Sequence, residues 1–404
     1  MRFLFYSHDG MGLGHVHRHL AIASALTQVC PKAQVLLATG VDEVARLGLP
    51  ANVDTLKLPG LRKVANNQYA SRRLGLPVGE IRGLRSALLQ VATESFRPAV
   101  VLVDKHPFGA GGEFRAALES AKASGARTVL GLRDILDDPA KVRREWSADG
   151  LAERILDHYD QVLVYGDESV FDPLEEYGFP PALAARTNYC GYVVNRWAGA
   201  GSAEPGAGPC SQEQDRPPTL LGTTGGGEDG FALLQTFMRA AAGAPWKGLA
   251  VAGPMLGQQE LRTLQQLAAE TGVTLHTFIP RLGSLFSSVD GLVTMGGYNT
   301  LVEAVSQGVP TVCVPRAFPR TEQLLRAQAF ERLGLLRTIH PAQLTVARLR
   351  QEITAALERP RQPLRARAEV PLDFNGARHA ADSLLELTAS VRRTATGRLE
   401  RVAA

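Results

Sequence analysis

Residues 294–310 read TMGGYNTLVEAVSQGVP, and they join an apolar strand to a helix through two glycines, Gly296 and Gly297. A helix start offers unpaired N–H groups and a partial positive charge, and glycines there let a phosphate approach the backbone closely. Glu303 lies one helical turn beyond Asn299, so it shares that face and reaches a polyol such as ribose with both carboxylate oxygens. The same residues also fit a buried turn whose glycines only permit tight packing, with Glu303 on a solvated face. This stretch alone leaves both readings open.

Outward from it, 404 residues predict two or three domains. Hydrophobic residues make up 45% and charged residues 21%, which is ordinary globular usage. The net charge of +4 and pI near 8.9 suit phosphorylated ligands or an anionic surface. The bias is too diffuse to argue nucleic acid, and no RNA- or DNA-binding motif accompanies it. Cys30, Cys190, Cys210 and Cys313 form no C-x-x-C and no metal-ligand spacing, as expected of free thiols in a reducing cytoplasm. The opening MRFLFYSHDG reads as a first strand rather than a signal sequence, and no apolar run is long enough to span a bilayer.

Short β-rich runs alternate with helical patterns along the chain. RFLFYS, AQVLLATG, AVVLVD, RTVLGLR and QVLVYG are strands of a first half, and PTLLGTTGG, GLAVAGP, VTLHTFI, GLVTMGG and PTVCVP are strands of a second. The expected architecture is α/β, two Rossmann-like domains facing each other across a cleft, with ligands beyond the carboxyl ends of the strands. Residues 1–197 form the first domain, 198–218 a Gly-, Pro- and Ser-rich linker or exposed loop, 219–372 the second domain, and 373–404 a terminal helix and frayed tail.

In the first half, SHDGMGLGHVHRHLAIA is again strand, glycine-rich turn and helix. His15 stands where a dinucleotide fingerprint needs its third glycine, and the second strand lacks the acidic residue that grips an NAD ribose, which argues against a dehydrogenase. His15 at a helix tip reads as a general base, with Asp104 at the end of another strand as its orienting carboxylate. A loop-capping Asp104 and a backbone-bonded His15 is the alternative. His17 and His19 read as surface or packing residues, and His106 stays unassigned. Arg133 and Asp134 follow a strand and either position an acceptor or form a local salt bridge. Lys63, Arg72, Arg73, Arg82 and Arg85 either face an anionic acceptor or membrane surface, or sit on a solvated helix and loop.

GMGLGHVHR, LLGTTGGGEDG, GGYNTLVEAVSQGVPTVCVP and RTEQLLRAQAFERLGL, taken in order, resemble the MurG-like GT-B glycosyltransferases of family 28. The resemblance assigns Glu303 to the ribose of a nucleotide sugar, and Gly296, Gly297, Tyr298, Asn299 and Thr300 to its diphosphate or the neighbouring atoms. Thr224, Gly225 and Gly226 would pack against the donor, and the segment around Ile279 would receive the base. Glu322 and Gln323 would read the sugar hydroxyls, although Glu322 stands where many relatives have Asp or Asn, and Tyr298 is bulkier than usual.

The resemblance implies an inverting, metal-independent transfer from a nucleoside diphosphate sugar, with UDP favoured, to an unidentified hydroxyl acceptor. His15 and Asp104 would be the catalytic pair, with His106, Arg133 and Asp134 weaker acceptor candidates. No cofactor and no nucleic-acid partner are expected, and a peripheral membrane contact stays open. The sequence contains no D-x-D to seat a cation beside a diphosphate. Competing readings are a nucleotide-sugar epimerase or hydrolase of the same fold, or a non-catalytic nucleotide-sugar-binding subunit.

Overall fold

The computed structural model describes residues 1–8, 13–42, 44, 47–65, 68–195, 216–227, 229–358 and 372–402. Gly10, Gly12, Cys210 and most of the expected linker lie outside them. The chain divides into two compact units: Met1–Asp134, Pro139–Val193 and Asp373–Ala404 form the first, and Ile135–Asp138 with Val194–Leu372 the second.

In the first unit β1 (Arg2–Ser7) leads to α1 (Gly14–Val29), β2 (Gln34–Thr39) and β3 (Val53–Lys57). An antiparallel hairpin of β4 (Leu61–Ala65) and β5 (Gln68–Ser71) precedes α2 (Val78–Phe96). Next come β6 (Val100–Asp104), α3 (Arg115–Ala123), β7 (Arg127–Arg133), α4 (Pro139–Ala148), α5 (Leu151–His158) and β8 (Gln161–Tyr165). Two short helices, α6 (Pro173–Glu176) and α7 (Pro181–Ala184), lead to β9 (Thr187–Tyr189). The strands form one parallel sheet in the order β3-β2-β1-β6-β7-β8-β9. Its central strands are buried along nearly their whole length, which is why they read as continuous apolar runs rather than alternating ones.

The strand order reverses between β1 and β6, where Ser7 lies opposite Asp104. Ligands of doubly wound sheets bind beyond the carboxyl ends at this switch point. A buried network ties α2 to β1 behind it. Tyr6 donates to Glu113 Oε1 at 2.5 Å, and Arg85 reaches both Glu113 oxygens at 2.5 and 2.6 Å. Arg85 is therefore an interior cation, and this corrects its expected place in an exposed basic stretch.

The second unit repeats the plan with β10 (Thr219–Thr223), α8 (Phe231–Ala241), β11 (Lys247–Val251), α9 (Gln258–Thr271), β12 (Thr274–His276) and β13 (Gly291–Thr294). Then follow α10 (Tyr298–Ser306), β14 (Thr311–Cys313), α11 (Glu322–Arg332), β15 (Arg337–Thr338) and α12 (Val346–Leu357). The parallel order is β12-β11-β10-β13-β14-β15, so β10 and β13 flank the switch point. Successive strand residues point to opposite faces. Leu220 and Val293 join a core with Phe237, Leu264 and Ile353, while Leu221 and Leu292 join one with Phe286 and Ala304.

The last helix, α13 (Gly376–Val402), belongs to the first unit, where Gly376 N–H donates to Tyr192 O and Tyr192 N–H to Asp373 O. Its backbone stays helical through residues expected to fray. Among the described residues no helix is long and apolar enough to cross a membrane, and Cys30, Cys190 and Cys313 form no disulfide.

Candidate active site

The two glycines of the opening stretch have different tasks. A Cβ on Gly296 would meet the Gln323 carbonyl oxygen at 2.7 Å, so this glycine lets the β13–α10 turn pack on the start of α11. A Cβ on Gly297 would meet nothing within 4 Å. Gly297 is the N-cap of α10 and, being glycine, offers no side chain to cap the first N–H groups of the helix. Packing explains the first glycine, and the anion reading is left to the second. Asn299 and Thr300 are half-buried in the same turn, and Tyr298 is buried.

The loop after β10 leaves the sheet beside this turn, because Thr223 pairs with Thr294. Gly225 is exposed, has φ +67° and faces open space. Gly226 meets only Met255 Sδ, at 3.6 Å. Thr224 is instead an anchor, donating from Oγ1 to Ala252 O at 2.8 Å. Neighbouring strand ends thus present two stretches of approachable backbone, around Gly225 and Gly297.

Glu303 sits farther along α10 and is only 8% exposed. Its Oε2 occupies space that a side chain on Gly283 would take. Burial pushes its carboxyl up to about 8, against a backbone hydrogen bond from Asn195. The solvated-face alternative is excluded, and the ligand-free protein carries Glu303 largely protonated at pH 7.

Glu322 and Gln323 are already engaged. Arg316 Nη2 donates to Glu322 Oε1 at 2.6 Å, its Nη1 to Asp229 Oδ2 at 2.9 Å, and its backbone N–H to Gln323 Oε1 at 3.0 Å. Any reading of sugar hydroxyls by Glu322 therefore runs through an arginine pair. Tyr298 lies under Arg326, whose guanidinium carbon is 5.4 Å from the ring centroid and whose Nη1 donates to Gly296 O at 3.3 Å. Ile279 follows β12 and packs on the core that contains Leu221 and Ala304.

In the first unit, His15 occupies the first turn of α1 and Asp104 ends β6, on either side of the switch point. His15 Nδ1 stands 3.2 Å from Asp104 Oδ1. Arg18, one turn along, donates to Asp104 Oδ2 from Nε at 3.1 Å and from Nη2 at 2.7 Å. Burial alone would raise the Asp104 carboxyl, but Arg18 and His15 hold it far below the usual carboxylate range. Burial pushes the His15 imidazole down to about 3 despite the attraction of Asp104, and Arg18 and Arg133 add to the depression. At neutral pH His15 is therefore an unprotonated imidazole beside an ionised aspartate, the protonation state a general base starts from.

Residues 249–384 match the family model described as the glycosyltransferase family 28 C-terminal domain. The chain is 27% identical over 379 residues, 88% of each chain, to the UDP-N-acetylglucosamine–N-acetylmuramyl-(pentapeptide) pyrophosphoryl-undecaprenol N-acetylglucosamine transferase of Symbiobacterium thermophilum. It is 24% identical over 286 residues to the enzyme of the same name from Corynebacterium efficiens, covering 67% of this chain and 74% of that one. Among solved structures, Acinetobacter baumannii MurG aligns with TM-score 0.59 at 16% identity over 95% of this chain and 99% of its own. The chain is a MurG-like GT-B glycosyltransferase.

Of the remaining candidates in this glycosyltransferase, His106 and Arg133 lie on the His15 side. The His106 ring meets His8 edge-on at 4.3 Å, and His8 meets His15 at 4.5 Å, so the three imidazoles form a row at the switch point. Arg133, at the end of β7, contributes charge at His15. Asp134 is fully buried and packs against Gly166. His19 is buried on Phe5, and its ring nitrogens have no hydrogen-bond partner among the described residues, in keeping with a packing role. Among the described residues no group of three or more His, Cys, Asp or Glu is disposed to hold a metal.

Sequence reading passed over Arg18, Arg316, Arg326 and Gly283. The i+3 spacing of Arg18 from His15 was the one available signal, because the other partnerships form only through the fold.

Proposed function

We propose that this glycosyltransferase moves a sugar from a nucleoside diphosphate sugar, UDP first among nucleotides, to an acceptor hydroxyl by a single inverting displacement that needs no metal. The observation that carries the reading is the pairing of approachable backbone at Gly225 and Gly297 on adjacent strand ends, with buried Glu303 farther along the same helix. Backbone donors and the α10 N-terminus supply positive potential for a departing diphosphate, and Glu303 suits a ribose diol. The UDP-N-acetylglucosamine in the names of the two relatives supports a uridine donor.

In the proposed step His15 Nε2 takes the acceptor's hydroxyl proton as the oxygen attacks the anomeric carbon. The bond to the diphosphate breaks with its electron pair, and Asp104 stabilises the imidazolium. The acceptor follows less directly. Leu84, Leu88 and Val91 are exposed on one face of α2 at i, i+4 and i+7, with Leu74 and Leu76 exposed before it, and Arg72 and Arg73, both paired with Asp42, precede these in sequence. This surface favours peripheral contact with an anionic membrane and a lipid-linked acceptor.

Calorimetric titration with UDP, TDP and GDP, with and without EDTA and repeated on Glu303→Ala, tests the donor half. Tight, EDTA-insensitive binding of UDP that the variant weakens is expected. Absence of binding by any of the three, or loss of binding on chelation, would overturn it. Conversion of a UDP-sugar without any acceptor would favour the epimerase or hydrolase reading.

A further inference from the structure

Arg18 Nη2 lies 3.0 Å from His15 Nδ1, closer than the 3.2 Å separating Nδ1 from Asp104 Oδ1. A guanidinium nitrogen only donates, so this contact requires Nδ1 as acceptor and the proton on Nε2. That is the wrong tautomer for a base acting through Nε2. The contact with Asp104 Oδ1 requires the opposite arrangement, Nδ1–H and a bare Nε2. Nδ1 can satisfy one of these neighbours at a time.

We propose that Arg18 is a positioning residue that sets the tautomer of His15: it holds Nδ1 as an acceptor in the resting protein, and His15 becomes a base when Nδ1–H turns to Asp104 Oδ1. The inference rests on His15 being the base. Arg18 is only 2% exposed, its guanidinium lies over the Tyr165 ring at 5.2 Å, and two of its nitrogens already donate to Asp104 Oδ2. It is fixed in place, whereas Asp104 Oδ1 is fully buried, lies 3.2 Å from His15 Nδ1 and, among the described residues, accepts no aligned hydrogen bond. A buried carboxylate oxygen left without a donor is costly, so Oδ1 is the ready receiver for Nδ1–H.

The proton count is closed. In the tautomer change Nε2 releases one proton to solvent and Nδ1 takes one from solvent. During transfer the hydroxyl proton passes to Nε2, and Asp104 stays ionised opposite the Nδ1–H of the imidazolium. The other groups around His15 are Arg133 at the end of β7 and His8 after β1, and His8 in turn meets His106 and feels the Lys105 charge. Arg18 touches both Nδ1 and Asp104.

The test is a two-bond proton–nitrogen correlation spectrum of the full chain labelled with 15N-histidine, with His15 assigned by its loss in His15→Gln. At pH 7 the wild type is expected to show Nδ1 unprotonated and Nε2 protonated, and Arg18→Met to show the reverse. Removing the neighbouring cation should also move the acid limb of kcat/KM to higher pH in Arg18→Met, a shift that a merely structural role would not produce. A wild type with Nδ1 protonated, or an Arg18→Met spectrum unchanged from it, overturns the proposal. Should Arg18→Met fail to fold, the wild-type spectrum decides alone. Full turnover by His15→Gln would sink the reading of His15 as base while the tautomer result stood, so the two failures are distinguishable.

Discussion

Glu303 and Gly283 share one space: the Glu303 carboxylate lies where the first side-chain carbon of any other residue at 283 would sit. Gly283→Ala should therefore push Glu303 off its position without altering its chemistry. Glu303→Ala is expected to weaken UDP binding by about 1–3 kcal/mol, as for a lost buried hydrogen bond to a charged group. Gly283→Ala should weaken it by a similar amount, read by titration calorimetry. Unchanged affinity in Gly283→Ala would mean that Glu303 does not hold the nucleotide from this position.

The raised Glu303 carboxyl, at about 8, makes two pH predictions. An ionised carboxylate accepts two ribose hydroxyls better than a neutral acid, so UDP binding below pH 8 should release a proton. Affinity should rise with pH and level off above about 8. Calorimetry in buffers of different ionisation enthalpy measures the released proton, and Glu303→Gln should abolish it. For folding the sign is opposite. A group whose pKa is raised on folding stabilises fully below its unfolded value near 4.5, and that stability is lost as pH rises to about 8. Glu303→Gln should therefore gain thermal stability relative to wild type at pH 8–9.

The α/β alternation was legible because central parallel strands are apolar without interruption, as in RFLFYS and AVVLVD. β3, β9 and β15 escaped notice: they flank their sheets, are short, and carry exposed residues such as Asp54 and Asn188 without an apolar run. The donor stretch was legible as a turn before a helix, but Gly296 and Gly297 could not be told apart. What separates them is Gln323, brought against one of them by the fold. Arg85 read as a surface charge for the same reason, since its partner Glu113 is distant in sequence.

Glu113 offers a stability prediction that leaves the proposed chemistry untouched. It holds Arg85 and Tyr6 together in the interior, and burial with the adjacent Glu113 keeps the Tyr6 phenol protonated by raising it well above its ordinary range. Glu113→Ala strands the Arg85 cation without a counter-charge, leaving it the Pro59 carbonyl, a change that costs about 3–5 kcal/mol. Chemical denaturation should show the loss as a lower midpoint with an unchanged slope. The double variant Glu113→Ala, Arg85→Met should recover part of it, because the stranded charge is gone.

His15 separates binding from chemistry. If the nucleotide is held by the second unit and the proton is taken by His15, His15→Ala should leave UDP affinity intact while lowering turnover about a hundredfold or more. Asp104→Asn should also lower turnover, because an amide opposite Nδ1 cannot stabilise the imidazolium, and it removes the anion that balances Arg18. The two substitutions act on one unit, so the double variant should be little slower than His15→Ala alone. Single-turnover rates and UDP titrations on the three variants decide the matter. Additive losses would show that Asp104 acts through something other than His15, and an equal fall in affinity and rate would remove the division of labour between base and donor site.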